Sequence, residues 1–290
     1  MTDPGNSRQT VRAAFVCGPG LIWLLVFLLV PMLLILSVSF ISRGAYGELE
    51  WTVTLENYRR LIGFGALGFD PLYPQILLRS LALGATTAFL CLLMGMPLAF
   101  FIARLPGRFR AAALLLVVIP FWTSLLIRTY AWQILLAPEG WFGSILRHLG
   151  MTELYPGTLA VLIGMVCDFL PFFVLPLYAS VEKINWSLAE AAMDLGASQW
   201  NVFRHAILPQ ISPGLTAGLI LVFLPATGQF VIPDLLGGAK TVLLGNAIQQ
   251  QFGQSRDWPF GAAMAVAALA LVIAGMWLFY RKSGQKGEWL

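Results

Sequence analysis

Residues 157–180 read GTLAVLIGMVCDFLPFFVLPLYAS, and this stretch decides the fold class. Its only charge is Asp168, and apolar side chains would cover every face of a helix built from it. A span of the ~30 Å hydrocarbon core needs ~20 mostly apolar residues at ~1.5 Å per residue, and this stretch meets that length. Working outward, five further stretches qualify, at about 14–40, 76–103, 111–137, 213–235 and 260–280. Each is expected to be helical, because lipid cannot satisfy free backbone N–H and C=O groups and no barrel-like alternation is present. Hydrophobic residues make up 58% of the 290-residue chain and charged residues only 11%, against about a quarter in ordinary soluble domains. The expected fold class is all-α, a polytopic membrane protein of six transmembrane helices forming one domain over 1–290.

The stretch at 14–40 follows Arg8 and Arg12 as a signal peptide would, but it is too long for one and no small-x-small cleavage site follows it, so it reads as a retained first helix. Six spans put both termini on one side. That side carries ten Lys/Arg, concentrated at Arg104 to Arg110 and in the C-terminal tail, against five acids; the other side carries seven bases and eight acids. By the positive-inside rule both termini are cytoplasmic, and the net charge of +4 describes topology rather than a nucleic-acid partner. Cys17, Cys91 and Cys167 fall inside spans with no metal spacing and read as packing residues. The outer segment 41–75 holds Trp51, Tyr58 and Tyr73, which read as headgroup anchors or as a surface for a soluble outer partner.

No catalytic or metal-binding constellation is expected. Gly63-Phe-Gly-Ala-Leu-Gly68 spells the dinucleotide fingerprint but lies in the outer segment with no strand before it. Gly237-Gly-Ala-Lys240-Thr241 lacks the glycine a phosphate loop needs, and neither His148 nor His205 has a matched partner nearby. The chain is therefore expected to carry no cofactor and to be no enzyme.

Residues 181–212 form the one long cytoplasmic loop, and its pattern is helical. Ser187-Leu-Ala-Glu190 spells a capping box, in which the serine hydroxyl takes the N3 amide and the glutamate reaches back. Leu188, Ala191, Ala192 and Leu195 follow at i, i+3, i+4 and i+7 as an apolar stripe, with Glu190 and Asp194 off it. Gly196 is placed to stop the helix, and a second run from about Ser198 to Leu208 is expected to end at Pro209. The acidic polar face disfavours anionic lipid headgroups, and the alanines permit close approach of another backbone, so a groove in a partner protein is expected.

Glu190-Ala191-Ala192-Met-Asp194-Leu195-Gly196, then nine residues, then Ala206-Ile-Leu208-Pro209 resembles the EAA loop of ATP-binding-cassette importer permeases. Ala206 departs where isoleucine is usual. The resemblance implies the type I importer permease fold, with this loop seated in a groove of a cytoplasmic ATPase. Two such ATPase subunits, a homologous second permease and an extracytoplasmic solute-binding protein are the implied partners. MgATP would then be held by the ATPases, in a bacterial inner membrane.

A second resemblance concerns cargo. Thr54-Leu-Glu-Asn-Tyr58, Ile119-Pro-Phe-Trp122-Thr-Ser124 with Arg128 and Tyr130-Ala-Trp132, Leu170-Pro-Phe172 to Leu177-Tyr178, and Phe230-Val-Ile-Pro-Asp234-Leu-Leu-Gly-Gly238 are similar to the spermidine/putrescine permeases, in particular the first of the two paired permeases. The likeness runs from about 15 to 280. Gln229 stands where many such permeases carry glutamate, which removes an anionic group from the expected pathway.

Two charges lie within spans, and such residues are functional candidates by default. Arg128 and Asp168 sit roughly 14–17 Å below the same surface at ~1.5 Å per residue, so an ion pair, a substrate contact by Asp168, or solvated positions are all open. Pro225, Gly228 and Pro233 interrupt span 5, which suits either a cavity lined by Gln229, Phe230 and Asp234 or a plain kink. Trp122, Tyr130 and Trp132 offer cation–π faces to an ammonium cargo. An importer of another small solute, an anion or a metal chelate, is the alternative. A secondary transporter would need inverted repeats, and the sequence has none.

Overall fold

A computed structural model of the chain describes residues 4–44, 48–65, 68–148, 154–238 and 241–284. The sequence readings on Lys240 and on the tail beyond 284 lie outside these residues, and the Cys17 side chain is also outside the description. In chain order the elements begin with α1 (Pro4–Ser39), β1 (Ile41–Arg43), β2 (Leu49–Val53), α2 (Glu56–Leu61), β3 (Phe64–Gly65) and β4 (Gly68–Phe69). There follow α3 (Leu72–Arg104), α4 (Gly107–Val118), a 3-10 turn (Ile119–Trp122), α5 (Leu125–Leu136), α6 (Trp141–His148), α7 (Thr158–Val181) and α8 (Trp186–Asp194). The chain continues as α9 (Gln199–Val202), a π turn (Phe203–Ile207), α10 (Leu208–Gly228), α11 (Val231–Leu236), α12 (Leu244–Phe252) and α13 (Trp258–Gly284). The only strands among the described residues form two short antiparallel hairpins, β1–β2 and β3–β4.

Among the described residues, five helical stretches are long and apolar enough to cross a membrane: Gly18–Ser39, Leu72–Arg104, Thr158–Val181, Gln199–Gly228 and Trp258–Trp277. The sixth expected span is no straight helix. Its two halves, Gly107–Trp122 and Leu125–Ile145, meet at 94°. The reason is local: Pro120 lies in the 3-10 turn, and Thr123 and Ser124 take extended backbone angles before α5 starts.

The described residues group into two compact units. The larger covers Leu72–Gln249 with Ala274–Leu290, and its core is α7, which packs chiefly on α10 and α3. Phe173 of α7 is fully buried and sits against two glycines: a Cβ on Gly218 of α10 would come 3.0 Å from Phe173 atoms, and one on Gly95 of α3 would come 2.5 Å from the ring. Small residues at helix crossings are what lets backbones approach where lipid supplies no hydrophobic drive between helices. Val161, Met165, Val174 and Leu177 complete this buried face.

The smaller unit covers Met1–Pro71 with Gln250–Ile273. Within it α1 exposes Trp23, Phe27 and its neighbouring apolar side chains on all sides, as a span facing lipid or a partner chain must. The exit of α1 is pinned by Asn57, a buried side chain that donates to the carbonyls of Ser39 (3.0 Å) and Ile41 (2.9 Å). The Tyr58 hydroxyl lies 2.7 Å from that of Ser39, and Trp51 is exposed. Asp257, also buried, accepts from Arg60 (3.0 Å), lies 3.7 Å from Arg43 and accepts the Phe260 amide (3.2 Å), capping α13.

Candidate functional site

Two regions of the larger unit carry the residues singled out above. The first follows α7 without a long linker. A three-residue turn leads to Asn185, whose side chain accepts the Ser187 amide (3.2 Å) and hydroxyl (2.6 Å). Asn185 is therefore the N-cap, and α8 begins at Trp186, one residue before the serine of the expected capping box. The box fails because Ser187 is already inside the helix and its hydroxyl is committed as a donor to Asn185.

The stop is as the sequence implies. Gly196 has φ +81°, its amide bonds the Met193 carbonyl (2.9 Å), and the Ala197 amide bonds the Ala192 carbonyl (3.1 Å). This is a Schellman motif, which needs a left-handed residue at that position. Ala189 is buried within the chain, whereas Leu188, Met193 and Leu195 are exposed, Leu195 to 89%. Ala191, Glu190 and Asp194 are exposed as well, and Ala192 is half-buried. The apolar stripe thus faces away from the chain's own core.

The return path differs from expectation. Pro209 does not end a helix: α9, the π turn and α10 run on as one span from Gln199 to Gly228. Pro209 falls in the first turn of α10, where a missing N–H is harmless, and the widened π turn accommodates its ring. Leu208 is half-buried and Pro209 exposed. Gln210 closes the loop, its Oε1 accepting the Asn185 amide (2.8 Å) and its Nε2 donating to the Ala206 carbonyl (2.7 Å). Ala206, the irregular position of the motif, is thus held through its backbone rather than its side chain.

The second region lies where the bent pair meets α7. Arg128 on α5 forms an ion pair with Asp168 on α7, joining the two charges that the sequence placed at equal depth. The guanidinium also donates to the Pro120 carbonyl and lies 5.4 Å from the Phe121 ring centre. The two side chains are 20% and 11% exposed. A cavity of about 180 Å³ opens beside them, lined by Pro120, Arg128, Trp132, Cys167, Asp168 and Ile232.

The other proposed lining residues do not converge on this cavity. Trp122 and Tyr130 are exposed, Phe230 is partly exposed and Asp234 is exposed in the first turn of α11. Gln229 acts locally. Its Oε1 accepts the amides of Phe230 (3.1 Å) and Val231 (3.4 Å), serving the free N–H groups at the start of α11. The break in span 5 lies here, after Gly228. Pro213 and Pro225 sit inside α10, and Pro233 inside α11. Residues 232–233 and 236 are buried, so this short helix belongs to the wall and not to a loose loop.

Besides Asn185 and Gln210, three residues were not singled out by sequence. Phe121 sits in a quoted motif but its ring was assigned no contact. Asn246 of α12 is buried, donates to the Phe230 carbonyl (2.9 Å) and accepts the Leu243 amide (3.3 Å), while Ser80 of α3 accepts the Leu244 amide (2.7 Å). Both are polar residues just outside or at the edge of a span, where a polar side chain gives no contrast with its surroundings.

Residues 95–282 match the family described as binding-protein-dependent transport system inner membrane component. Among curated proteins, the chain is 41% identical over 280 residues to the spermidine/putrescine transport system permease protein PotB of Haemophilus influenzae, covering 95% of this chain and 94% of that protein. It is 42% identical over 267 residues to the PotB protein of Escherichia coli K12, with 91% and 94% covered. Among solved structures it resembles a bacterial ABC transporter that imports the acidic polysaccharide alginate, at TM-score 0.66 and 20% identity, with 95% and 96% covered. A second structure, of a bacterial alginate transporter in complex with its pentasaccharide-bound periplasmic protein, gives TM-score 0.68 at 20% identity, with 92% and 93% covered.

Proposed function

We propose a transport role from one premise: this chain belongs to the family of binding-protein-dependent transport system inner membrane components. It is a transmembrane permease subunit of an ATP-binding-cassette importer, and its cargo is a polyamine such as spermidine or putrescine. The identity to spermidine/putrescine permeases over nearly the whole chain is the observation that carries the cargo. An anionic cargo would need a cationic group free to meet it; Arg128 is instead paired with Asp168.

The permease pairs with a homologous second permease, receives cargo from an extracytoplasmic binding protein, and docks two cytoplasmic ATPases that hold MgATP. Both termini face the cytoplasm of a bacterial inner membrane. Docking runs through Glu190, Ala191, Ala192, Asp194, Leu195 and Gly196, with Leu208 and Pro209 anchoring the return. The exposed stripe of α8, capped at one end and stopped at the other, supports that reading, since a rigid helix with outward apolar side chains transmits displacement where a flexible loop would not. Closure of the ATPases pulls on α8, and the short turn back to α7 on one side and the span from α9 through α10 on the other carry the motion into the membrane. Arg128, Asp168 and Trp132 line the pathway, with Trp122, Tyr130, Phe230, Gln229 and Asp234 nearer its rims.

The test is uptake of labelled spermidine and labelled sulfate by the complete transporter in proteoliposomes, with its binding protein outside and ATP inside. Spermidine uptake that sulfate does not compete away is expected. Uptake of the anion alone would replace the cargo while leaving the machine in place.

A further inference from the structure

We infer that Asp168 is the cation-binding carboxylate of the pathway and that Arg128 occupies it as a tethered stand-in, which a cargo ammonium displaces during transport. The inference rests on the polyamine reading above and adds an exchange of one cation for another.

Arg128 touches three different groups. Its guanidinium meets a carboxylate (Asp168), a backbone carbonyl (Pro120) and an aromatic face (Phe121, 5.4 Å). Those three contact types are also what an alkylammonium needs: a counter-charge, a neutral acceptor and a π-face. A site that holds one organic cation at membrane depth is already built to hold another, and a cavity of about 180 Å³ adjoins it with Trp132 as a second aromatic wall.

A compact ammonium with rotatable donors can take the place of the planar guanidinium on the Asp168 carboxylate.

Release of Arg128 is also cheap at its other contact. The Pro120 carbonyl accepts the Thr123 amide (3.3 Å) and hydroxyl (2.7 Å) as well, so it stays bonded when Arg128 leaves. The extended residues Thr123 and Ser124 give α5 a joint on which to carry Arg128 away. Arg128 then keeps the empty pathway neutral and restores the resting state once cargo has gone. Among the described residues no other charged side chain lines this cavity.

The test uses the complete transporter and radiolabelled spermidine, with two readouts: equilibrium binding in the absence of the binding protein, and uptake at saturating binding protein. If the native complex imports no spermidine, the polyamine reading falls and this inference falls with it. If it does, Arg128→Gln should bind spermidine severalfold more tightly, because the competitor is gone. Asp168→Asn should bind it at least roughly tenfold more weakly, as expected for loss of a charge-assisted contact. The double Arg128→Gln/Asp168→Asn, which buries no lone charge, should assemble with the ATPases yet remain as poor in uptake as Asp168→Asn. A structural staple predicts the reverse, with both single variants failing to assemble and the double regaining uptake. Recovered uptake in the double, weaker binding by Arg128→Gln, or failure of the double to assemble each overturns the inference, while native uptake keeps the cargo reading intact.

Discussion

The two candidate regions of this chain are built to opposite rules. At α8 the apolar side chains Leu188, Met193 and Leu195 point outward and the backbone is closed at both ends by Asn185 and Gly196. At the junction of α5 and α7 the charges point inward and the backbone is left open, with a 94° bend and two extended residues. On the proposed function the first arrangement is the handle for the ATPases and the second the joint around the Arg128–Asp168 contact. A machine driven from outside the membrane needs both, since force must enter through something stiff and be used where something yields.

That contrast can be broken most severely at the handle. Leu188→Glu combined with Leu195→Glu should abolish co-purification of the ATPases and reduce uptake by more than about tenfold, as loss of two central interface residues commonly does. Both side chains are exposed in this chain, so membrane insertion and detergent melting should be unchanged. A fall in melting temperature would mean that the stripe packs on its own protein. Next in size, Gly164→Leu tests the joint. A Cβ there would already lie 2.6 Å from Leu236 and 3.0 Å from Ile232, and the longer side chain crowds the cavity wall. Overpacking of this kind costs about 1–3 kcal/mol and should depress uptake per assembled complex while ATPase co-purification stays normal. Loss of docking instead would show that the two regions are not separable.

Smaller effects sharpen the handle itself. Asn185→Ala removes the observed cap and should cost the α8 fold about 1 kcal/mol, read as a roughly fivefold weaker ATPase association in titrations. Ser187→Ala removes only a donor that orients that cap, and should cost a few tenths of that. If the serine variant proves the worse of the two, the capping box is the correct description and Asn185 is incidental.

How much of this is legible in the sequence follows from how local each cause is. The spans are legible because hydropathy over ~20 residues integrates many weak signals, and the helix stop at Gly196 is legible because a single residue type fits that conformation. The cap lies two residues before the expected serine: Asn185 and Ser187 are both good caps, and choosing between them requires knowing which one lies outside the helix. Pro209 reads as a terminator because a proline disrupts a preceding α-helical turn, yet a π turn before it admits a continuous span. The bend at Thr123–Ser124 hides inside an apolar run whose composition suits a straight helix, although Pro120 marks the spot. Counting residues places Arg128 and Asp168 at one depth, but whether they meet depends on that bend. Gln229 stands in a motif as a pathway residue would, and its bonds to Phe230 and Val231 can only be read from coordinates.

The central claim is that this permease moves cargo only when ATPases act on α8. The most direct measurement is simultaneous ATP hydrolysis and labelled spermidine uptake in proteoliposomes holding both permeases, with and without the ATPase subunits. Uptake that requires the ATPases, stops with the non-docking α8 variant and tracks hydrolysis is the result expected. Uptake that persists without them, driven by an ion gradient, would contradict the account.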